Sequence, residues 1–237
     1  MSLIYYLLIS IVGVTLLSLI GTKTIKKYSK FYYIAMGLLA LLTTIFEIFK
    51  LYSNYNLPTF LYGLEKSTMK GYIAIGFFIL VMFAGAMNTQ WNITRKLLSI
   101  RGEMAILGSI LIMPHGIMYL VKFIIKIFNG KEPTAFNIMY IILGIVGFLI
   151  MMPLFITSFK SIRRKINHIK WKAIQRWSYL FFGLIYLHIL VILLSSKNVD
   201  WLRISIYTLI FIAYTALKIN KANVMEKKKI LNTQGIS

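Results

Sequence analysis

The chain has 237 residues, of which 59% are hydrophobic, and its mean hydropathy of +0.76 excludes an ordinary soluble domain. It contains no cysteine, which excludes disulfides, iron–sulfur clusters and zinc–thiolate sites. The 27 Lys and Arg outnumber the 6 Asp and Glu, for a formal charge of +21. In so apolar a chain this excess indicates loop residues that set membrane orientation and contact anionic lipid, and we expect no nucleic-acid partner.

Apolar runs between clusters of charge predict about seven membrane spans, because a helix needs about 20 apolar residues to cross the hydrocarbon. The runs lie at 3–20, 31–49, 71–90, 104–128, 138–159, 174–195 and 201–217. The first lacks a basic leader and a small-residue cleavage site, so we expect a retained helix. The last is short and carries Arg203, which leaves open a six-helix count with an interfacial seventh helix. The fold prediction is an all-α, polytopic transmembrane helical bundle, with residues 1–237 as a single domain.

Basic residues are unevenly shared between the two sets of alternate loops. Most of them follow the first, third and fifth spans or lie after the last span. By the positive-inside rule this set is cytoplasmic, which places the N-terminus outside and the C-terminus inside. Residues 219–237 are then a cytoplasmic basic tail. The expected location is a bacterial inner, or cytoplasmic, membrane.

Two of the three histidines, His115 and His188, fall inside predicted spans, whereas His168 lies in the basic loop RRKINHIKWK, where a solvated side chain is expected. An ionisable residue at membrane depth is costly and is a functional candidate by default. The alternative is a neutral imidazole that bonds a carbonyl or hydroxyl of a neighbouring helix.

The two intramembrane histidines are predicted to lie at one depth. His115 follows Arg101 by 14 residues, or about 21 Å, and His188 follows Gln175 by 13 residues, or about 20 Å, on helices that run in the same direction. Both then lie in the outer half of the membrane. Two imidazoles at equal depth can ligate one haem iron from opposite faces and leave no axial position for oxygen, which suits electron transfer. The sequence does not establish that the two helices are neighbours.

Two lysines lie outward of His115 on its helix. Lys122 and Lys126 are candidate partners of haem propionates, and the alternative is that both side chains snorkel to the interface.

The segment from Met152 to His188 reads MPLFITSFKSIRRKINHIKWKAIQRWSYLFFGLIYLH. It resembles the ferric-reductase-like transmembrane family, in particular the haem-binding membrane subunits of bacterial methionine sulfoxide reductase systems. The residues that carry this resemblance are Pro153, Leu154, Thr157, Ser158, Arg163, Arg164, Trp171, Arg176, Tyr179 and His188. The stretch RGEMAILGSILIMPH, which ends at His115, is similar to the family's arginine-rich turn and helical histidine. The resemblance covers residues 71–195, which we expect to form a ferric-reductase-like haem-binding core.

One residue departs from the family's pattern. Gln175 stands where the family often has a histidine, and glutamine is a poor iron ligand. The resemblance therefore implies a single haem b in the outer half. If electrons enter from the cytoplasm, a flavin near the basic loop is one way to bridge the inner half, although the sequence contains no flavin motif.

Two functions follow as hypotheses. The first is a membrane b-type cytochrome that transfers electrons to or from a protein or quinone partner, with no NAD- or FAD-binding domain of its own. The second is a haem-capturing protein for haem detoxification or oxidative-stress defence without steady catalysis. We rank a transporter lower, because Glu47, Asn88 and Gln90 are more simply helix-end or interhelical partners. Two membrane histidines with few carboxylates also make neither a hydrolytic triad nor a zinc site.

Overall fold

The computed structural model describes residues 3–53 and 58–233, which are helical apart from short turns. The helices in these ranges are α1 (Leu3–Ile20), α2 (Thr22–Lys27), α3 (Ser29–Tyr52), α4 (Thr59–Met69), α5 (Tyr72–Ala86), α6 (Asn92–Ser99), α7 (Arg101–Phe128), α8 (Ala135–Ser158), α9 (Lys160–Arg163), α10 (His168–Leu194) and α11 (Trp201–Thr233). The predicted all-α polytopic bundle is confirmed.

The helices that are long and apolar enough to span a membrane are α1, α3, α7, α8, α10 and the part of α11 from Trp201 to Lys227. Within the described residues these are six, or seven if α4 and α5, joined at a bend of 58°, count as one span. The sequence had assigned the uncertain span to 201–217, but α11 is long enough to cross. The irregular span is the third, since α5 has 15 residues and is about 22 Å long.

The bend between α4 and α5 is a left-handed turn. Gly71 has φ of 73°, a conformation that costs a residue with a Cβ atom. The predicted spans leave residues 50–70 between the second and third runs, but α4 occupies much of this stretch. Glu65, Ser67 and Thr68 of α4 are buried, because the helix packs its polar residues against α1, α3, α5 and α7.

The bundle is organised around α5, α7 and α8. Helix α7 packs against α3, α5 and α8, while α10 packs mainly on α8. Helices α7 and α10, which carry the two intramembrane histidines, make little direct contact with each other. Helix α8 lies against both α7 and α10 and so connects the two helices.

The basic end of the bundle is formed by residues 21–28, 87–100 and 159–167. There, contacts between residues of the segment from Met152 to His188 hold α10 against α8. Trp171 Nε1 donates to the Thr157 carbonyl oxygen at 3.1 Å, and Gln175 Nε2 donates to Thr157 Oγ1 at 3.0 Å. The Arg163 guanidinium lies over the Trp171 ring, 4.1 Å from its centre. These contacts fix the register of α10 along α8, and that register determines where His188 lies.

Candidate functional site

The rings of His115 on α7 and His188 on α10 lie close together at the end of the bundle opposite the basic end, here called the histidine end. Their centres are 6.2 Å apart and their planes are at 79°. His168, in contrast, is exposed at the start of α10 and stacks on Trp171. The structure thus brings together the two histidines within predicted spans and leaves the third outside the site.

Each of the two rings is held by a backbone carbonyl of a neighbouring helix. His115 Nδ1 lies 2.8 Å from the carbonyl oxygen of Met69, and His188 Nδ1 lies 2.9 Å from that of Tyr140. A carbonyl oxygen only accepts, so Nδ1 carries the proton and Nε2 of a neutral imidazole keeps its lone pair. Neither Nε2 has a hydrogen-bond partner within the described residues. The carbonyl-bonded alternative therefore explains Nδ1 but not the approach of the two rings.

A glycine lies beside each ring. A Cβ atom at Gly71 would lie 3.7 Å from His115 Nδ1, and one at Gly144 would lie 3.3 Å from His188 Cε1. Each imidazole therefore rests directly against the backbone of the element that supplies its carbonyl partner. The sequence analysis did not identify these glycines as part of the site. The feature that could have pointed to them is an isolated glycine within a helical pattern.

A tyrosine and a lysine extend the site around His115. The Tyr119 ring lies 4.7 Å from the His115 ring, and its hydroxyl accepts a 2.8 Å hydrogen bond from Lys70 Nζ. Lys70 precedes Gly71 at the bend, so the same turn supplies the carbonyl, the close backbone contact and a cation.

The two lysines proposed as propionate partners both have protein partners. Lys122 Nζ forms an ion pair with Glu47, and Lys126 Nζ donates to Asn137 Oδ1 at 2.6 Å. Their role toward a haem stays a prediction.

Nearer the basic end, at the depth of Arg101 and Gln175, the described residues include no histidine. Arg101 Nε donates to the Val81 carbonyl oxygen at 3.0 Å, and Gln175 is bonded to Thr157. A small cavity of about 40 Å³ adjoins both side chains and is lined by aromatic residues such as Phe181. No group of three or more His, Cys, Asp or Glu that could hold a metal ion occurs among the residues that the structure describes.

Part of the chain is similar to a known membrane family. Residues 70–186 match the family described as ferric reductase like transmembrane component. The match covers just under half of the chain, and residues 70–186 therefore resemble a ferric-reductase-like transmembrane domain. The match begins at the bend before α5, includes His115 and ends two residues before His188. The apolar helices and this transmembrane family make the chain a multi-pass membrane protein, and a bacterial cell membrane is consistent with both.

The chain is also similar to an uncharacterized protein of Treponema pallidum (strain Nichols), with 28% identity over 222 residues. The alignment covers 91% of this chain and 60% of that relative, so the chain spans about three fifths of the relative's length. No solved structure matches. The ferric-reductase-like family indicates a membrane electron-transfer component.

Proposed function

We propose that the protein is a b-type cytochrome of the membrane, in which His115 and His188 are the axial ligands of a single haem b in the outer half of the bilayer. The observation that carries the proposal is the pair of imidazoles 6.2 Å apart, each with Nδ1 bonded to a backbone carbonyl. Electrons would pass to or from a protein or quinone partner.

The ring separation supports a shared iron. With about 2 Å from metal to nitrogen and about 1.2 Å from nitrogen to ring centre, two axial imidazoles have centres about 6.4 Å apart. The observed separation is 6.2 Å. The bare backbone at Gly71 and Gly144 allows each imidazole to lie close to the element that holds its Nδ1.

The chain's own residues prepare the site. The bonds from Nδ1 to Met69 and Tyr140 orient the rings, select the tautomer with Nε2 free and increase its basicity as a ligand. A haem bound there supplies a one-electron redox centre with both axial positions filled. Lys122 and Lys126, as well as Lys70, are the cations from which propionate partners would come.

Absorption spectra of the purified protein, as isolated and after dithionite, test the proposal. The wild type should show the spectrum of a low-spin b-type haem with one haem per chain. His115→Ala and His188→Ala should lose it, because each removes one axial ligand, whereas His168→Ala is the matched control and should keep it. Size-exclusion profiles identify a variant that fails to fold. A wild type that stays colourless when haem is supplied would refute the proposal.

The second candidate is haem capture without steady catalysis. It is favoured by Arg101 and Gln175, which occupy the inner depth of the bundle where the described residues include no histidine. Reduction of the haem by membrane-bound donors supports electron transfer. A haem that no donor reduces, in a protein whose deletion lowers haem tolerance, supports capture.

A further inference from the structure

Two cations from different helices converge on the last turn of α5, toward the basic end of the bundle. Arg101 of α7 is mostly buried, and its guanidinium lies against Gly85, where an added Cβ atom would lie 3.4 Å from Nη2 and 3.6 Å from Nη1. Lys221 of α11 reaches the same residue. Its Nζ donates to the carbonyl oxygens of Gly85 and Met87 at 3.0 Å each.

A third cation stands beside this pair. Lys218 Nζ donates to the Tyr179 hydroxyl of α10 at 2.8 Å. Lys218 and Lys221 are three residues apart on α11 and so lie on the same face of that helix. The acceptors that hold these cations are hydroxyl and carbonyl groups, which carry no net charge.

No acidic side chain compensates these three cations within the described parts of the chain. None of the ion pairs there includes Arg101, Lys218 or Lys221. Four of the six acidic residues pair with other cations, namely Glu47, Glu65, Glu103 and Asp200. The C-terminal end of α5 supplies only about half an elementary negative charge. Mutual repulsion of the cations, which is stronger away from bulk water, therefore favours a bound anion.

Arg101 and Lys221 keep hydrogen-bond donors for such an anion. Arg101 Nε donates to the Val81 carbonyl oxygen at 3.0 Å, whereas Nη1 and Nη2 have no hydrogen-bond acceptor among the described residues. Lys221 uses two of its three ammonium protons on the two carbonyls. The paired terminal nitrogens of a guanidinium match two oxygens of one phosphate group.

The position of the three cations indicates the class of anion. Trp177 and Tyr179, on the same stretch of α10, are 55% and 47% exposed, and aromatic side chains of membrane proteins concentrate at the boundary between hydrocarbon and water. The phosphate groups of lipids lie at this boundary, and basic residues beside a membrane span attract anionic headgroups.

We propose that Arg101, Lys218 and Lys221 form a binding site for a phosphate group, which belongs either to the headgroup of an anionic phospholipid in the adjacent leaflet or to a soluble phosphate. Arg101 supplies two parallel donors, Lys221 a third donor, and Lys218 further positive charge. Because the phosphate offsets the repulsion between α7 and α11, its binding stabilises the packing of these helices. The site does not depend on the proposed haem.

Thermal stability of the purified protein in detergent tests the site and separates the two sources of phosphate. Phosphatidylglycerol should raise the temperature of half-loss of the monodisperse peak, and phosphatidylcholine should raise it much less, because the three cations repel its choline group. An equal rise with inorganic phosphate, beyond that with sodium chloride of the same ionic strength, would assign a soluble phosphate. Equal effects of the two lipids, or no rise with any of the three additives, would overturn the proposal.

Native mass spectrometry of the wild type and of variants locates the binding. Arg101→Gln and Lys221→Gln should each raise the half-saturating concentration of phosphatidylglycerol by roughly tenfold, as expected for the loss of a hydrogen bond to a charged group. Arg95→Gln and Lys227→Gln are matched controls, since each removes one exposed cation, and both should bind like the wild type.

Arg101→Lys gives a second test at the buried position if Arg101→Gln does not fold. It keeps the charge but loses the paired nitrogens, so its affinity for phosphatidylglycerol should fall between those of the wild type and Lys221→Gln. If the control variants weaken binding as much as the site variants do, overall charge attracts the lipid and the proposed site is wrong.

Discussion

Replacing Gly71 with alanine should disturb both the helix bend and His115. The backbone at Gly71 is left-handed, with φ of 73°, and a Cβ atom there costs about 1–2 kcal/mol. The new methyl group would lie 2.9 Å from Ile112 Cδ1, the flexible end of a side chain, which can move aside. The backbone cost therefore dominates, and it corresponds to a roughly five- to thirtyfold change in the folding equilibrium.

The same strain would act on His115. Gly71 lies two residues after Met69, and the Cβ atom of an alanine at position 71 would lie 3.7 Å from His115 Nδ1. Relief of the left-handed turn would move the Met69 carbonyl that orients the ring. Haem content per chain and the temperature of half-loss of the monodisperse peak after heating measure the two effects. Both should decrease in Gly71→Ala.

Gly130→Ala is the matched control for this prediction. Gly130 has a similar φ of 69°, but a Cβ atom there would meet nothing within 4 Å. It should lose a comparable amount of stability and keep its haem. A Gly71→Ala protein with wild-type stability would refute the backbone argument, and equal haem content in both variants would refute the link from the bend to His115.

Three further predictions concern the packing of Gly116, the depth of Arg101 and Gln175 in the bundle, and the distribution of charge between the two sides of the membrane. Gly116→Ala should cost about 1–3 kcal/mol by overpacking, since its Cβ atom would clash with the Phe148 ring. Adding Phe148→Leu should restore thermal stability, and an unaffected single variant would contradict this prediction. Gln175→His should keep one haem per chain by pyridine haemochrome assay, because no second histidine lies at that depth among the described residues. A second haem would contradict the one-site interpretation. Because the chain contains no cysteine, a single introduced cysteine reports the side of the membrane on which it lies. Lys165→Cys should react with an impermeant thiol reagent only from the cytoplasmic side, and Lys131→Cys only from outside. The reverse pattern would refute the predicted orientation.

Much of the fold could be predicted because it depends on local physical chemistry. The runs 3–20, 31–49, 104–128, 138–159 and 174–195 agree closely with α1, α3, α7, α8 and α10, since an apolar segment in lipid must satisfy its backbone groups within itself. The common level of His115 and His188 follows from residue counts, because every helix rises by the same amount per residue.

The third span and the last could not be placed by the same reasoning. Helix α4 has a polar sequence, and its buried residue Glu65 pairs with Lys50 of α3, a contact that the sequence of α4 alone does not reveal. Helix α11 continues well past residue 217, where hydropathy alone ended the span.

By itself, the sequence determined the membrane class, the helical bundle and the choice of His115 and His188, because hydropathy, helical rise and side-chain chemistry are properties of short segments. Only the tertiary structure decided that the two rings approach to 6.2 Å, that Met69 and Tyr140 hold them, and that Lys122 pairs with Glu47, which is 75 residues away. Contacts between distant segments depend on how helices pack, and a pattern within one helix contains no information about its neighbour.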